Sequence, residues 1–467
     1  MTAVTVSEAR TVSPVAVARP SRWWRDVTAA FAWAVVLFVV ALWVAGGGLG
    51  AFGSAGDGLT TIGRLAGLLA SVLILLQVLL MARIPIVEQA WGQDELARVH
   101  RLVGFTSFIL MVAHVGSVIV GYSVGTGVGL LGSFLDEVLH SPGMLLALAG
   151  ALALVMVVVT SVTKARRRLR YESWHLLHLY AYLGAGLALP HQLWSGQDFR
   201  AGTASTVFWW GLYGAALAAV IVFRVGLPLA RSLRHRLVVS HVVAESPTVT
   251  SVVVTGRNLH RLPVRAGQFF QWRFLDGPGW SRANPYSLSA APDGRSLRLT
   301  VENVGGSSAH LAGLRPGTRV LVEGPYGRLH AGVGTRAKAV LIGAGIGITP
   351  LRALLEELPA GPDATVLIYR VGCRDDLVLS DELATLAAAK GARVTAVVGH
   401  RQLARDSWLP AEASHVGDVK ALRRIVPDIA ERDVYVCGAP AWMDAVIAAA
   451  HGAGVPQESI HHERFSY

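Results

Sequence analysis

Six stretches of about 20 apolar residues occupy the first half of this chain, and they constrain its fold more than any other feature. They run over Val27–Ala45, Thr60–Ala82, Val99–Gly121, Gly143–Val162, Trp174–Leu193 and Thr203–Leu227. A segment of that length in hydrocarbon must satisfy its backbone hydrogen bonds internally, which makes each a helix. The first run is too long for the apolar core of a typical signal peptide, so it counts as a span. The chain has 467 residues, enough for two or three domains, and is 52% hydrophobic and only 16% charged. After Leu237 the long runs stop, and short β-branched stretches alternate with helical ones.

The net charge of +11 sits between the apolar runs rather than in one patch. Arg10, Arg19, Arg22 and Arg25 precede the first run, and Arg83 and Arg98 lie between the second and third. Lys164, Arg166, Arg167, Arg168 and Arg170 lie between the fourth and fifth, and Arg224, Arg231, Arg234 and Arg236 follow the sixth. The alternate loops, Gly46–Leu59, Tyr122–Pro142 and Trp194–Gly202, hold a single basic residue, Arg200. Positive loops stay on the cytoplasmic side. The expectation is a multi-pass cell-membrane protein with both termini cytoplasmic and no role in nucleic-acid binding. Cys373 and Cys437 are the two cysteines. They cannot form a disulfide framework or supply the four thiolates of an iron–sulfur cluster. Any electron carrier would be organic or haem.

Ionisable side chains inside a membrane are costly and usually functional. The third run carries His100 and His114, and the fifth carries His175, His178 and His191. His100 and His114 return to within about 40° of each other on a helix, about 21 Å apart along its axis. The third and fifth helices run parallel, so His100 can face His178 near the cytoplasmic side and His114 can face His191 near the outer side. Two haems, each held by a histidine pair, account for this pattern economically. His178 and His191 stand about 140° out of register on an ideal helix. Pro190, Gly184 and Gly186 provide the local distortion needed to correct that. His175 reads as a hydrogen-bonding neighbour near the headgroups, although its spacing leaves it open as the inner ligand.

The spacing of His100 and His114, followed by Tyr171-Glu-Ser-Trp174-His-Leu-Leu-His178 and then His191, resembles the ferric reductase-like transmembrane domain shared by ferric-chelate reductases and NADPH oxidases. The resemblance covers 59–225 and implies two b-type haems on His100, His114, His178 and His191. It also implies a role at a haem propionate or the acceptor for Arg64. A snorkelling arginine at the interface is the equal alternative. Arg98 and Arg101 are propionate candidates on the cytoplasmic side.

Beyond the helices, Val238–Val243, Val249–Thr255, Gly267–Phe274 and Leu297–Glu302 read as short strands with turn residues between them, the pattern of a small antiparallel β-barrel. In Asn284-Pro285-Tyr286-Ser287, an aromatic ring and a hydroxyl can meet a flat isoalloxazine. Gly305-Gly306-Ser307-Ser308 offers backbone N–H groups and hydroxyls to a pyrophosphate. With Glu323-Gly-Pro-Tyr-Gly327, these segments resemble the FAD-binding barrel of the ferredoxin reductase superfamily. The usual arginine of its Arg-x-Tyr-Ser/Thr motif is replaced by Asn284, with Arg282 nearby.

Ala337–Ile342 reads as a buried strand leading into Gly343-Ala-Gly345-Ile-Gly347-Ile-Thr349-Pro350 and a helix over Leu351–Leu358. A glycine turn between a strand and a helix N-terminus is an anion site suited to a dinucleotide. Arg370 and Arg374 follow the next strand, where a ribose 2′-phosphate would lie, so NADPH is expected and NADH remains possible. The same superfamily resemblance implies that Cys437 and Gly438 border the nicotinamide. It also implies that a terminal aromatic, Phe465 first and Tyr467 second, covers the flavin. Packing as a small apolar group is the plainer reading of Cys437.

The expected architecture is a multidomain membrane protein. A tail (1–26) precedes a six-helix transmembrane bundle (27–227). An antiparallel β-barrel FAD domain (237–330) and a doubly wound α/β nucleotide-binding domain (337–467) follow. The expected function is electron transfer from cytoplasmic NAD(P)H through FAD and two b-type haems to ferric chelate or oxygen at the outer face. The alternative is delivery to a protein partner or a quinone.

Overall fold

The structure is a computed structural model that describes residues 23–166, 168–169, 171–196, 199, 202–277, 280–402 and 406–464. The chain divides into two compact units, one from 21–91 and 95–225, the other mainly from 226–466.

The first unit is helical. Its elements are α1 (Trp23–Ala45), α2 (Ala55–Met81), α3 (Pro85–Trp91), α4 (Gln93–Thr126), α5 (Leu130–His140), α6 (Met144–Ser161), α7 (Thr163–Arg166), α8 (Tyr171–Trp194) and α9 (Thr203–Ala219). A π-helical stretch, Val220–Gly226, joins α9 to α10 (Leu227–His235). Among the described residues, five helices are long and apolar enough to cross a bilayer: α1, α2, α4, α6 and the run Thr203–His235. The 24 residues of α8 reach about 36 Å. Phe31, Trp33, Leu37, Leu102, Ile109, Leu145, Leu152, Leu176 and Leu217 all point outward and are exposed. A water-soluble protein does not present so much apolar surface. The unit is a membrane domain.

Two expected boundaries moved. α2 begins at Ala55 instead of Thr60, because Ser54 caps it by accepting from the Asp57 N–H at 3.2 Å. α4 runs for 34 residues instead of Val99–Gly121, since its polar first turns continue the helix beyond the apolar run. The expected loop Tyr122–Pro142 contains α5, whose 11 residues are too short to appear as a span.

The second unit opens with two antiparallel sheets. β1 (Val238–Ser246), β2 (Val249–Thr255) and β5 (Ser296–Glu302) form one, and β4 (Asn284–Ser287), β3 (Phe269–Phe274) and β6 (Val320–Tyr326) the other. Single bridges, Val238 with Arg319 and Leu288 with Leu299, link them. Val252, Val254, Phe270, Trp272, Leu288 and Leu299 are fully buried between the sheets.

A parallel sheet follows, in the order β11 (Ile460–His462), β10 (Asp433–Cys437), β7 (Ala339–Ala344), β8 (Thr365–Val371), β9 (Arg393–Val398). Successive strand residues face opposite sides. Val340, Ile342, Val366, Ile368, Val434 and Val436 pack on one face beneath α13 (Asp418–Ile425) and α14 (Pro440–Gly452). Leu341, Leu367, Tyr369, Tyr435 and Cys437 pack on the other beneath α11 (Ile348–Glu357) and α12 (Ser380–Lys390). Every residue of β8 is buried, as expected for a parallel strand covered on both sides.

Candidate functional site

In the helical unit, the site is a set of imidazoles held by close helix packing. His100 on α4 and His178 on α8 face each other with ring centroids 5.9 Å apart and planes inclined at 64°. One imidazole nitrogen of His100 faces the Gln77 backbone, while its Nδ1 is buried without a hydrogen-bond partner. His178 Nδ1 lies 3.3 Å from Ser161 Oγ, and the His178 ring packs on Trp174 with centroids 5.0 Å apart. Two imidazole nitrogens on opposite sides of one metal, each about 2 Å from it, set the ring centroids about 6 Å apart. The observed separation fits that requirement, and an orphaned buried nitrogen fits it too.

The second pair is built differently. His114 Nδ1 lies 2.8 Å from the Gly63 carbonyl oxygen, which can only accept. Nδ1 therefore donates, and Nε2 keeps the lone pair that a metal needs. This contact depends on glycine. A Cβ at Gly63 would lie 2.8 Å from the Val118 side chain, and one at Gly67 would lie 2.7 Å from His114 Nδ1. Small residues let membrane helices approach closely, and Gly63-Arg-Leu-Ala-Gly67 is a GxxxG segment visible in the sequence. His191 lies within electrostatic range of His114, and its Nδ1 is buried without a partner. His175 lies within electrostatic range of His178. Among the described residues, no group of three or more His, Cys, Asp or Glu side chains could hold a metal ion. A metal in this unit would have to be held by pairs of histidines.

In the second unit, β10 and β8 flank β7 on opposite sides, so the chain order reverses beside β7. Ligands of doubly wound sheets bind at such a switch point, outside the carboxyl ends of the strands. Gly343 and Cys437 are register neighbours at those ends. A Cβ at Gly347 would lie 2.5 Å from the Cys437 carbonyl oxygen, and one at Gly438 would lie 2.8 Å from the Trp442 ring. Gly345 is the open member: its φ is +52° and nothing lies within 4 Å of where its Cβ would be. The glycines thus bring backbone against backbone while leaving one exposed edge at the N-terminus of α11. That helix starts at Ile348, three residues before the expected Leu351, so Thr349 and Pro350 lie in its first turn. Thr349 Oγ1 donates to the Ile346 carbonyl at 3.0 Å.

Cys437 is 3% exposed, and burial pushes its thiol up to about 12, with the Glu463 carboxylate acting in the same direction. It is a protonated packing group, not a thiolate nucleophile. Arg370 is 6% exposed and turns inward to the Val371 carbonyl, whereas Arg374 is exposed on the short helical turn after β8. Asp376 is engaged locally, accepting from the Cys373 N–H at 3.1 Å. Of the two arginines expected at a 2′-phosphate, Arg374 is therefore the one at the surface.

Asn284, Pro285, Tyr286 and Ser287 form β4, and the Tyr286 carbonyl accepts from Trp272 Nε1 at 2.9 Å. Gly305 and Gly306 follow β5 with φ of +90° and +58° and open space around both. Ser308 Oγ closes that loop by donating to the Gly305 carbonyl at 2.8 Å, and Ser307 is half-buried beside it. Phe465 and Tyr467 lie outside the described residues. The sequence reading did not foresee the ion-pair chain joining the β-sheets to the nucleotide fold. Arg298 on β5 bonds both oxygens of Glu382 on α12, at 2.7 and 2.8 Å, and Arg352 Nε lies 2.9 Å from the same carboxylate. Nothing local in the sequence marks such a pair, because its members lie 84 positions apart.

Comparison with known proteins adds two domain matches. Residues 66–189 match the model of the ferric reductase like transmembrane component, and residues 341–447 match the oxidoreductase NAD-binding domain. The first range includes His100, His114 and His178 and ends two residues before His191. A ferredoxin–NAD(+) reductase component of an alkene monooxygenase system from Xanthobacter autotrophicus is 31% identical over 252 residues, covering 51% of this chain and 71% of the relative. A ferredoxin–NADP reductase from Sorangium cellulosum is 29% identical over 198 residues, covering 40% and 80%. A flavohaemoprotein from Xylella fastidiosa is 29% identical over 240 residues, covering 50% of this chain but only 58% of the relative, so the chain matches little more than half of that protein.

Proposed function

Since the chain belongs to the ferric reductase-like transmembrane family, joined to a ferredoxin reductase-type FAD and NAD(P)H module, we propose that it carries electrons from NAD(P)H through FAD and two b-type haems across a membrane. It is a membrane-embedded, NAD(P)H-dependent flavin oxidoreductase. The finer reading is a six-span bundle over 27–227, in which α8 is the fifth span, after a tail over 1–26. The two three-stranded sheets, bridged at two edges, form one six-stranded FAD barrel over 237–330, and the nucleotide domain covers 337–467. The basic loops put both termini on the cytoplasmic side. The acceptor on the outer face is ferric chelate or oxygen.

The 5.9 Å separation of His100 and His178 carries the haem reading. When bound, a nicotinamide and a flavin would supply hydride chemistry, and a haem would supply one-electron chemistry. The chain's own residues hold and orient these groups. His100 with His178, and His114 with His191, would each hold one haem. The Gly63 carbonyl fixes the tautomer of His114. Gly343, Gly345, Gly347 and the first turn of α11 receive a pyrophosphate. Gly438 and Cys437 wall the nicotinamide, with the thiol protonated. Arg374 meets a 2′-phosphate, favouring NADPH over NADH. Asn284, Pro285, Tyr286 and Ser287, with Gly305, Gly306, Ser307 and Ser308, line the flavin, and Phe465 covers it.

A reduced-minus-oxidised spectrum with haem quantification tests this. Purified wild type is expected to hold two haems per chain, and His100→Ala or His114→Ala about one. A protein yellow with flavin and free of haem after supply would refute it. The names of two relatives, reductases of ferredoxin, favour a second reading in which electrons pass to a partner protein or a quinone. NADPH-driven formation of superoxide or ferrous iron by the purified chain separates the two.

A further inference from the structure

The end of α8 that carries His191 is intrinsically soft. Pro190 lies inside the helix and cannot donate to the carbonyl one turn back, and Gly184 and Gly186 precede it. An ideal helix would turn His191 about 140° away from the face that carries His178. Something outside the helix must set the azimuth of this last turn.

Contacts from three other helices do so. Tyr213 on α9 donates its phenol hydrogen to Gln192 Oε1 at 2.5 Å, and Gln192 Nε2 donates to Ser71 Oγ on α2 at 3.0 Å. Ser71 Oγ in turn donates to the Gly67 carbonyl at 2.8 Å. Each donor group in this row bonds the next acceptor, so the row runs in one direction. From the other side, Ser195 Oγ donates to the Pro142 carbonyl at 2.9 Å. Gly143, which caps α6 with φ +82°, sits so close that a Cβ would lie 2.8 Å from the His191 backbone nitrogen. The row ends on Gly67, whose own α-carbon faces the His114 ring. One polar row thus touches the residue after one imidazole and the backbone beside the other.

We propose that Gln192, held by Tyr213 and Ser71, is a positioning residue that fixes the azimuth of His191 and so completes the ligand pair with His114. This rests on the two-haem reading above. Gln192 touches no reacting atom. Its effect passes through the orientation of His191, while the pair formed by His178, on another turn of α8, and His100 on α4 lies outside its reach.

The test uses the full chain, loaded with haem in lipid nanodiscs, as wild type, Gln192→Met, Tyr213→Phe and His114→Ala. A spectroelectrochemical titration resolves two haem components, and His114→Ala identifies the outer one by its loss. In both Gln192→Met and Tyr213→Phe, the outer component is expected to shift in midpoint potential, with an altered low-spin electron paramagnetic resonance signal. The inner component should titrate as in wild type, and haem content should fall from two toward one per chain. Tyr213→Phe removes one oxygen and keeps the ring, so it answers if Gln192→Met does not fold. Unchanged titration of both components, or equal shifts in both, would overturn the positioning role alone. A wild type that binds no haem would overturn the reading beneath it as well.

Discussion

His100 and His178 come from helices separated by more than seventy positions of sequence, yet their rings face each other at 5.9 Å, with the His100 Nδ1 buried and unpartnered. An orphaned nitrogen in an apolar surrounding costs roughly 1–3 kcal/mol unless it is used. His191 carries such a nitrogen as well, and the two together support the proposed ligand role.

Gly67→Ala places a methyl group 2.7 Å from His114 Nδ1 and must displace that ring. We expect the variant to lose one haem of two, with the other spectrally unchanged. Gly116→Ala, on the same helix as His114 with nothing within 4 Å of its Cβ, is expected to retain both. Haem quantification on the purified proteins distinguishes them, and equal haem content in the two would refute the cradle.

Glu382→Gln weakens the contact between the β-sheets and the nucleotide fold. Glu382 is 38% exposed on its side chain and Arg298 15%, so solvent screening limits the loss to about 1–2 kcal/mol. The Arg298 hydrogen bond, against the opposing effect of burial, holds the Glu382 carboxyl below its ordinary value of 4.5. The pair's contribution is thus fully present above that value and disappears as pH falls through the lowered one. Thermal melts followed by flavin fluorescence should show the variant less stable at neutral pH and level with wild type in acid. A gap that persisted in acid would contradict the ion-pair account.

Thiol chemistry should separate the two cysteines. Cys373 is exposed, whereas burial pushes the Cys437 thiol up to about 12. In native protein at pH 8, iodoacetamide should modify Cys373 and leave Cys437 untouched, with both labelled after denaturation. Peptide mass spectrometry reads the outcome, and rapid native labelling of Cys437 would contradict its burial.

Arg374→Ser should raise KM for NADPH about tenfold and leave KM for NADH nearly unchanged, the loss expected for one charge-assisted contact of about 1.4 kcal/mol. Steady-state reduction of an artificial acceptor measures both constants. Equal changes for the two nucleotides would place the 2′-phosphate elsewhere.

Much of this was legible in the sequence because it depends on short-range regularities. Apolar length pointed to the membrane helices, strand–glycine–helix order located the glycine turn before α11, and the repeat of histidines on two segments singled out His100 and His178, whose rings face each other. The GxxxG segment at Gly63 and Gly67 was equally visible, but its meaning was not, since a glycine declares close approach without naming what approaches.

What the sequence alone determined is the inventory: which stretches are long and apolar, which of them carry imidazoles, and where glycine turns stand between strand and helix. Only the tertiary structure decided that Arg370 turns inward while Arg374 stays in solvent, that Arg298 reaches Glu382, and that the last turn of α8 is anchored through Gln192. The physical reason is that periodicity and turn chemistry act over a few residues, whereas burial and hydrogen-bond partnership are set by neighbours that the chain brings in from far along its length.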